Sequence, residues 1–223
     1  TGKGGHISKP ENCIDPVRIS TDFLSSFYPA LEKQLEPDKY VIGVGRIQGG
    51  AQFNRIPDTV EILGSYRTFD RETTDIIDRT IEECLEKVVK KYVKPGEEFS
   101  GLPDYKLDIL HGYPVLVNDP VFADAVNSKL QEDFPELTIY PEIEKTFAAE
   151  DFASYLQKVP GIFLSLGTRN PEKNIVEINH SCKFDIDETI LIKGAEIFYT
   201  ISLDFLNNPE KYLNPVTTST SSR

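Results

Sequence analysis

The 223-residue sequence contains no methionine and no tryptophan, and only three histidines and three cysteines. A natural chain opens on methionine unless it has been processed or cut. This one opens on Thr1-Gly2-Lys3-Gly4-Gly5-His6, so a segment from inside a longer protein is expected. Cys13, Cys84 and Cys182 are far apart, odd in number and form no Cys-x-x-Cys pair. That argues against a cysteine zinc site and fits reduced thiols in a cytoplasm better than a disulfide framework. No apolar run approaches the roughly 20 residues a bilayer-spanning helix needs, and no signal-peptide pattern is visible. Gly43, Gly45, Gly49 and Gly50 lie close together. Yet no Gly-x-Gly-x-x-Gly or Gly-Lys-Ser/Thr pattern follows a strand and opens a helix there, which rejects a nucleotide loop. Positive charge is in deficit: 24 Lys and Arg stand against 36 Asp and Glu, giving a net charge of -12. Such a surface repels nucleic acid and anionic lipid.

What is present reads as two regions. Residues 1–8 read as a short strand. Pro16 suits the first turn of a helix running to about Gln34, with Val17, Ile19, Phe23, Leu24, Phe27 and Leu31 at helical spacing. Strands follow at 39–47 and 58–69, separated by the loop Gln48 to Pro57. Asp70 is placed to cap a helix over Glu72 to Tyr92, with an apolar stripe through Ile77, Ile81, Cys84, Leu85 and Val88. Pro95-Gly96 stops it, and 104–110 alternates like a last strand. The order β-α-β-β-α-β is the ferredoxin-like arrangement. After Gly112 the pattern becomes α/β: a helix over 119–133, a strand at 137–140, a short helix near Asp151, an apolar strand at 161–166, and a helix over 187–206. The expected organisation is a ferredoxin-like domain at 1–112, the C-terminal part of an α/β domain at 113–210, and a Thr- and Ser-rich disordered tail at 211–223.

Two constellations carry candidate chemistry. His180, in Ile178-Asn179-His180-Ser181, lies between a strand and the last helix, where α/β sites lie. It is either a metal ligand or a loop histidine that only hydrogen-bonds. His6 follows two glycines that allow close backbone approach to a ligand, or it is a surface histidine at a flexible end. His111 reads as structural or solvent-exposed. The second constellation is the loop Gly49-Gly50-Ala51-Gln52-Phe53-Asn54 with Arg67 on the next strand. Asn54 and Arg67 brought near one another would suit a substrate carboxylate. The alternative is an Arg67 paired with Asp58, Glu61 or Asp70.

These segments stand in a familiar order: Gly2-Lys3-Gly4-Gly5-His6, Ile14-Asp15-Pro16, Gly49 to Asp58, Arg67-Thr68-Phe69, Gly112-Tyr113-Pro114, Val117-Asn118-Asp119, Glu150-Asp151-Phe152, Gly167-Thr168 and His180-Ser181. Over about residues 1–206 the chain resembles the M20 family of metallopeptidases and amidohydrolases, and most nearly its N-acyl-amino-acid and hippurate-type branch. The resemblance implies an α/β metallohydrolase catalytic domain interrupted by a ferredoxin-like lid that dimerises. It implies His180 as a metal ligand and His6 as the lid histidine that reaches across a homodimer to polarise the scissile carbonyl. Asn54 and Arg67 become the grip on the substrate carboxylate, and Gly167 part of the loop lining the pocket. Divalent metal ions (Zn, Mn or Co, two in the complete enzyme) are the implied cofactors. The family's other ligands and its general-base glutamate lie upstream of the glycine-rich segment. Ala148-Ala149 departs from a pair that often includes glycine. Asp151 is read as a helix cap and Glu150 as near the site without ligating.

The implied function is metal-dependent hydrolysis of the amide bond of N-acyl amino acids or small peptides, with this chain inactive alone because one His cannot hold a catalytic metal. Three alternatives stay open: a carboxypeptidase or dipeptidase of the same family, a non-catalytic dimerising or small-ligand-binding module, and a half-enzyme paired with a separate N-terminal chain.

Overall fold

A computed structural model of the chain describes residues 1–93 and 101–213. The chain divides into two compact units, Thr1–Val115 and Leu116–Arg223. The Pro95-Gly96 helix stop and most of the expected tail (214–223) lie outside the described residues.

The first unit contains β1 (Gly5–His6), α1 (Pro16–Glu32), β2 (Tyr40–Gly49), β3 (Arg55–Ile56), β4 (Val60–Thr68) and α2 (Arg71–Tyr92). Both helices start where the sequence offers a cap. The Asp15 carboxylate accepts the Val17 N–H at 2.9 Å with Pro16 in the first turn, and Asp70 accepts the Thr73 N–H at 2.7 Å. Ile19, Phe23, Phe27 and Leu31 on α1 bury against Ile77, Cys84 and Val88 on α2. The helices run antiparallel. Near one end Asp22 accepts from Lys91 Nζ (2.6 Å) and the Tyr92 hydroxyl (2.8 Å); near the other Gln34 Nε2 donates to Thr80 Oγ1 (2.9 Å). Tyr40, Ile42, Ile62 and Tyr66 of the β2–β4 hairpin pack on the same core. Leu31 and Ile77 are fully shielded from solvent; each contributes about 1.5–3 kcal/mol of burial.

The strands depart from the expected pattern. They form two separate antiparallel pairs, β1 with β3 and β2 with β4. β1 is shorter than the expected 1–8, because Lys3 bridges to Ile14 and residues 10–12 turn as a 3-10 helix. Residues 104–110 form no ladder among the described residues; the Asp104 N–H reaches only the Thr1 carbonyl, at 3.3 Å. The alternation survives, with Tyr105, Leu107 and Ile109 half-buried and Asp104, Lys106, Asp108 and Leu110 exposed. Period-two patterning thus marks one covered face and does not by itself guarantee a hydrogen-bonded partner.

The glycine run at the start is explained by the chain itself. A Cβ on Gly4 would stand 2.6 Å from the Ile56 carbonyl oxygen, and one on Gly5 would stand 2.7 Å from Cys13 Sγ. The close approach is to the protein's own backbone and side chains.

The second unit contains α3 (Pro120–Asp133), α4 (Ala153–Leu156) and α5 (Leu191–Asn207). Asp119 caps α3 through the Phe122 N–H at 2.9 Å. Val126, Leu130 and Phe134 pack with Ile197, Ile201 and Tyr212, whose hydroxyl donates to Asp204 Oδ2 at 2.7 Å. The expected strands 137–140 and 161–166 pair with no other strand among the described residues. Ile139, Ile162 and Leu164 still pack on this core. The carboxamide of Asn118 takes the place of a partner strand: it donates to the Phe163 carbonyl (3.1 Å) and accepts the Phe163 N–H (2.8 Å). Asp151 does not cap α4 with its side chain. Phe152 occupies the cap position, and only the Asp151 carbonyl accepts the Ser154 N–H, at 2.9 Å.

Paired glycine substitutions test the packing at β1. Gly4→Ala is expected to cost about 1–3 kcal/mol through the clash with Ile56. Gly43→Ala, with nothing within 4 Å of the added carbon, should leave the melting temperature unchanged or raise it. Equal effects in thermal unfolding would contradict the close approach.

Candidate active site

His6, Asn54 and Arg67 belong to the first unit, Gly167 and His180 to the second. β1 places His6 opposite Arg55, and the Ile7 N–H donates to the Asn54 carbonyl at 3.1 Å. His6 and Asn54 are therefore neighbours on one short ladder. The His6 ring is exposed and fixed by Ser8, whose backbone N–H donates to Nδ1 at 3.2 Å and whose hydroxyl lies 2.7 Å from the same nitrogen. A backbone N–H can only donate, so Nδ1 is the acceptor and the neutral ring carries its hydrogen on Nε2. His6 thereby presents a directed donor. Ser8 was not singled out from sequence; its one signal is a hydroxyl two residues after a histidine.

Arg67 stands elsewhere. The loop bearing Asn54 springs from the Gly49/Val60 end of the hairpin, whereas Arg67 pairs with Val41 at the other end. From Val60 to Arg67 the strand advances about 23 Å at roughly 3.3 Å per residue. The hairpin separates the attachment points of Asn54 and Arg67. The three carboxylates that would have neutralised Arg67 are engaged: Asp58 by the Gly4 N–H (2.9 Å) and Arg55 (3.4 Å), Glu61 by Arg46 (2.6 Å), and Asp70 by the Thr73 N–H (2.7 Å). Exposed Arg67 donates only to its neighbour's carbonyl, that of Tyr66, at 2.8 Å. Among the described residues no anion pairs with it. His111 takes a structural place, with Nε2 3.4 Å from Asp78 Oδ2, while Asp78 Oδ1 accepts the Tyr66 hydroxyl at 2.6 Å. Burial, then that carboxylate, push the Tyr66 phenol above its usual range.

In the second unit Gly167 is exposed and an added Cβ would meet nothing within 4 Å. The folded chain does not itself demand glycine there. His180 is exposed, and its backbone φ is 70°, a left-handed value uncommon for a side-chain-bearing residue. It sits in a tight turn closed by the Ser181 N–H to the Ile178 carbonyl at 3.2 Å. The ring makes no hydrogen bond among the described residues, so both nitrogens are unengaged there. Glu150 is half-buried near α4. Asp187, read from sequence only as a helix start, binds Lys173 Nζ (2.7 Å), Asn170 Nδ2 (2.5 Å) and the Thr189 hydroxyl (2.8 Å). Lys173 first, then the Asn170 and Thr189 hydrogen bonds, hold its carboxyl well below the usual carboxylate range.

Among the described residues no three His, Cys, Asp or Glu side chains come together as a metal-binding set. A catalytic zinc takes three protein ligands. The unengaged, exposed imidazole of His180 fits one such position, and the described residues do not supply the others.

A model of peptidase family M20/M25/M40 matches residues 7–204. The chain is 32% identical over 207 residues to thermostable carboxypeptidase 2 of Saccharolobus solfataricus, covering 92% of this chain and 50% of the relative. It is 29% identical over 213 residues to N-acetyl-L-cysteine deacetylase of Bacillus subtilis, covering 94% and 47%. Among solved structures, a dinuclear metal binding peptidase of the M20 family from Bacillus subtilis superposes with a TM-score of 0.67 at 25% identity, covering 87% of this chain and 47% of that one. The chain spans about half the length of the curated relatives it matches.

The left-handed turn yields a stability test. His180→Val is expected to destabilise the chain by about 1–3 kcal/mol, whereas His180→Gly, which tolerates the positive φ, should not. Equal melting temperatures for the two variants would contradict the turn geometry.

Proposed function

The chain belongs to peptidase family M20/M25/M40, and we propose that it carries the lid and the C-terminal catalytic segment of an amidohydrolase acting on N-acyl amino acids or small peptides. The observation that carries this reading is Arg67: a solvent-facing guanidinium with no anionic partner among the described residues, in a chain of net charge -12. An N-acyl amino acid ends in a carboxylate, which a guanidinium can bind through two parallel hydrogen bonds.

The remaining groups fill complementary roles. His6 Nε2–H is set to donate to the oxyanion that forms as the amide carbonyl is attacked. Asn54, beside it, adds a neutral donor. Gly167 leaves room for substrate along its backbone, and His180 contributes one metal ligand. Divalent metal ions, two in the complete enzyme as in the dinuclear neighbour, would polarise the carbonyl and lower the pKa of the attacking water. The lid is read as residues 1–112 and ferredoxin-like, supported by the β2–β4 hairpin on two antiparallel helices and by the covered face at 105–109. The catalytic segment is 113–210. On α5, Leu191, Ile192, Phe198, Tyr199 and Leu206 are half to three-quarters exposed, while Ile197 and Ile201 are buried on the other side. That apolar face suits the remaining half of a family catalytic domain, and without it this chain is read as inactive. A cytoplasmic location remains part of this reading.

The hairpin adds a requirement. His6 with Asn54 and Arg67 spring from opposite ends of one lid, so they meet on one substrate when two lids combine. A homodimer supplies that. A carboxypeptidase reading is favoured by the name of the Saccharolobus relative; both readings use the carboxylate grip, and turnover of N-acyl amino acids against dipeptides separates them.

In the full-length protein, Arg67→Ala should lower kcat/KM for N-acyl amino acids about 10- to 100-fold, as expected for losing a hydrogen bond to a charged group of roughly 1.5–3 kcal/mol. It should leave the corresponding N-acyl amino amides little changed; an equal loss on both substrate types would remove the carboxylate grip. Mixing the impaired His6→Ala and Arg67→Ala proteins in equal amounts under subunit exchange should raise kcat/KM above that of either variant, to about a quarter of wild type, because half the dimers are mixed and each has one intact site. No recovery would contradict the two-lid site.

A further inference from the structure

We propose that Asp187 is a positioning residue whose carboxylate clasps the loop from Thr168 to Asp187 and so holds the turn presenting His180. The inference rests on the reading of His180 as a metal ligand and extends it to what keeps that ligand in place.

The loop has little regular structure of its own. It holds one 3-10 turn, Pro171–Lys173, and one isolated bridge, Asn170 to Ile175. A segment this long without helix or strand is held by side chains or not at all. Its ends meet where the Asp187 N–H donates to the Thr168 carbonyl at 3.0 Å. Inside it, the Asn170 N–H donates to the Ile175 carbonyl (2.8 Å) and the Ile175 N–H to the Asn170 carbonyl (2.9 Å). The stretch bearing His180 therefore hangs between two posts, Ile175 and Asp187.

Asn170 ties the posts together. Its Oδ1 accepts the Glu172 and Lys173 N–H groups, and its Nδ2 donates to Asp187 Oδ2 at 2.5 Å. The other Asp187 oxygen accepts from Lys173 Nζ (2.7 Å), the Thr189 hydroxyl (2.8 Å) and the Thr189 N–H (3.2 Å). A helix cap alone would need only the Thr189 N–H. The bonds to Asn170 and Lys173 reach back across the loop and serve no capping purpose. The side chain is only 14% exposed, and a carboxylate offers about four acceptor sites. Three donors share Oδ1 and one takes Oδ2, and the Lys173 ammonium beside them would repel a metal. Its contribution acts through His180, whose left-handed turn needs surroundings that over-determine it.

The test combines amide hydrogen exchange with zinc titration, both on the full-length protein, using Asp187→Ala, the more conservative Asp187→Asn, and His180→Ala. Asp187→Ala should speed exchange of the Ile175 and Ser181 amides at least tenfold while the α3 amides of Val126 and Leu130 stay slow. Zinc affinity should fall about 10- to 100-fold, as for other residues that orient a ligand. Asp187→Asn keeps the shape and should fall in between on both readouts. Unchanged exchange in the loop would overturn the proposal. So would faster exchange with zinc affinity unaltered while His180→Ala weakens zinc, a result that leaves the proposed function standing. If His180→Ala itself leaves zinc affinity unchanged, the reading of His180 fails and the proposal falls with it.

Discussion

The fixed rise of an extended strand governs what the first unit can do. β4 is paired along its whole length with β2 and held flat on α1 and α2 by Ile62 and Tyr66. Its two ends cannot approach one another without breaking that ladder and uncovering the Leu31–Ile77 core. The loop with Asn54 springs from the Val60 end, and β1 with His6 pairs beside that loop, whereas Arg67 stands toward the other end. A unit built this way holds two separate chemistries, a directed imidazole donor at one end and, among the described residues, an unpaired cation at the other. The proposal of a two-lid site follows from that rigidity.

The second unit is organised by local hydrogen bonds more than by ladders. Asn118 pairs with Phe163 as a strand would, and Asp187 with Asn170 closes the loop that carries His180. Polar side chains do here what a neighbouring strand does in a full sheet. The same unit leaves an apolar face of α5 in solvent. Apolar surface on two sides of one helix is ordinary for an element buried on both sides, and costly for one that is not.

The helices were legible from sequence because their signals are local. Asp70 caps its helix as its position implies, Asp15 and Asp119 cap the helices that open at Pro16 and Pro120, and the stripes through Phe23 and Leu31 or Ile77 and Val88 face the core. The stretches 104–110, 137–140 and 161–166 form no ladder among the described residues. Their alternation or apolar runs report covered faces, whereas a ladder depends on a partner that no local pattern reveals. The residues of the candidate site could be named, but their spacing could not. Asn54 and Arg67 are close in sequence, and only the β2–β4 register shows that the strand between them holds them apart. Ser8 and Asp187 were missed because each acts through a hydrogen bond to a residue whose position is set by folding.

The most direct test of the account is release of free amino acid from an N-acyl amino acid by the full-length protein, followed with and without a chelator, for wild type and His180→Ala. The account predicts turnover that requires divalent metal and is lost in the variant. Turnover that survives both the chelator and the substitution would contradict it.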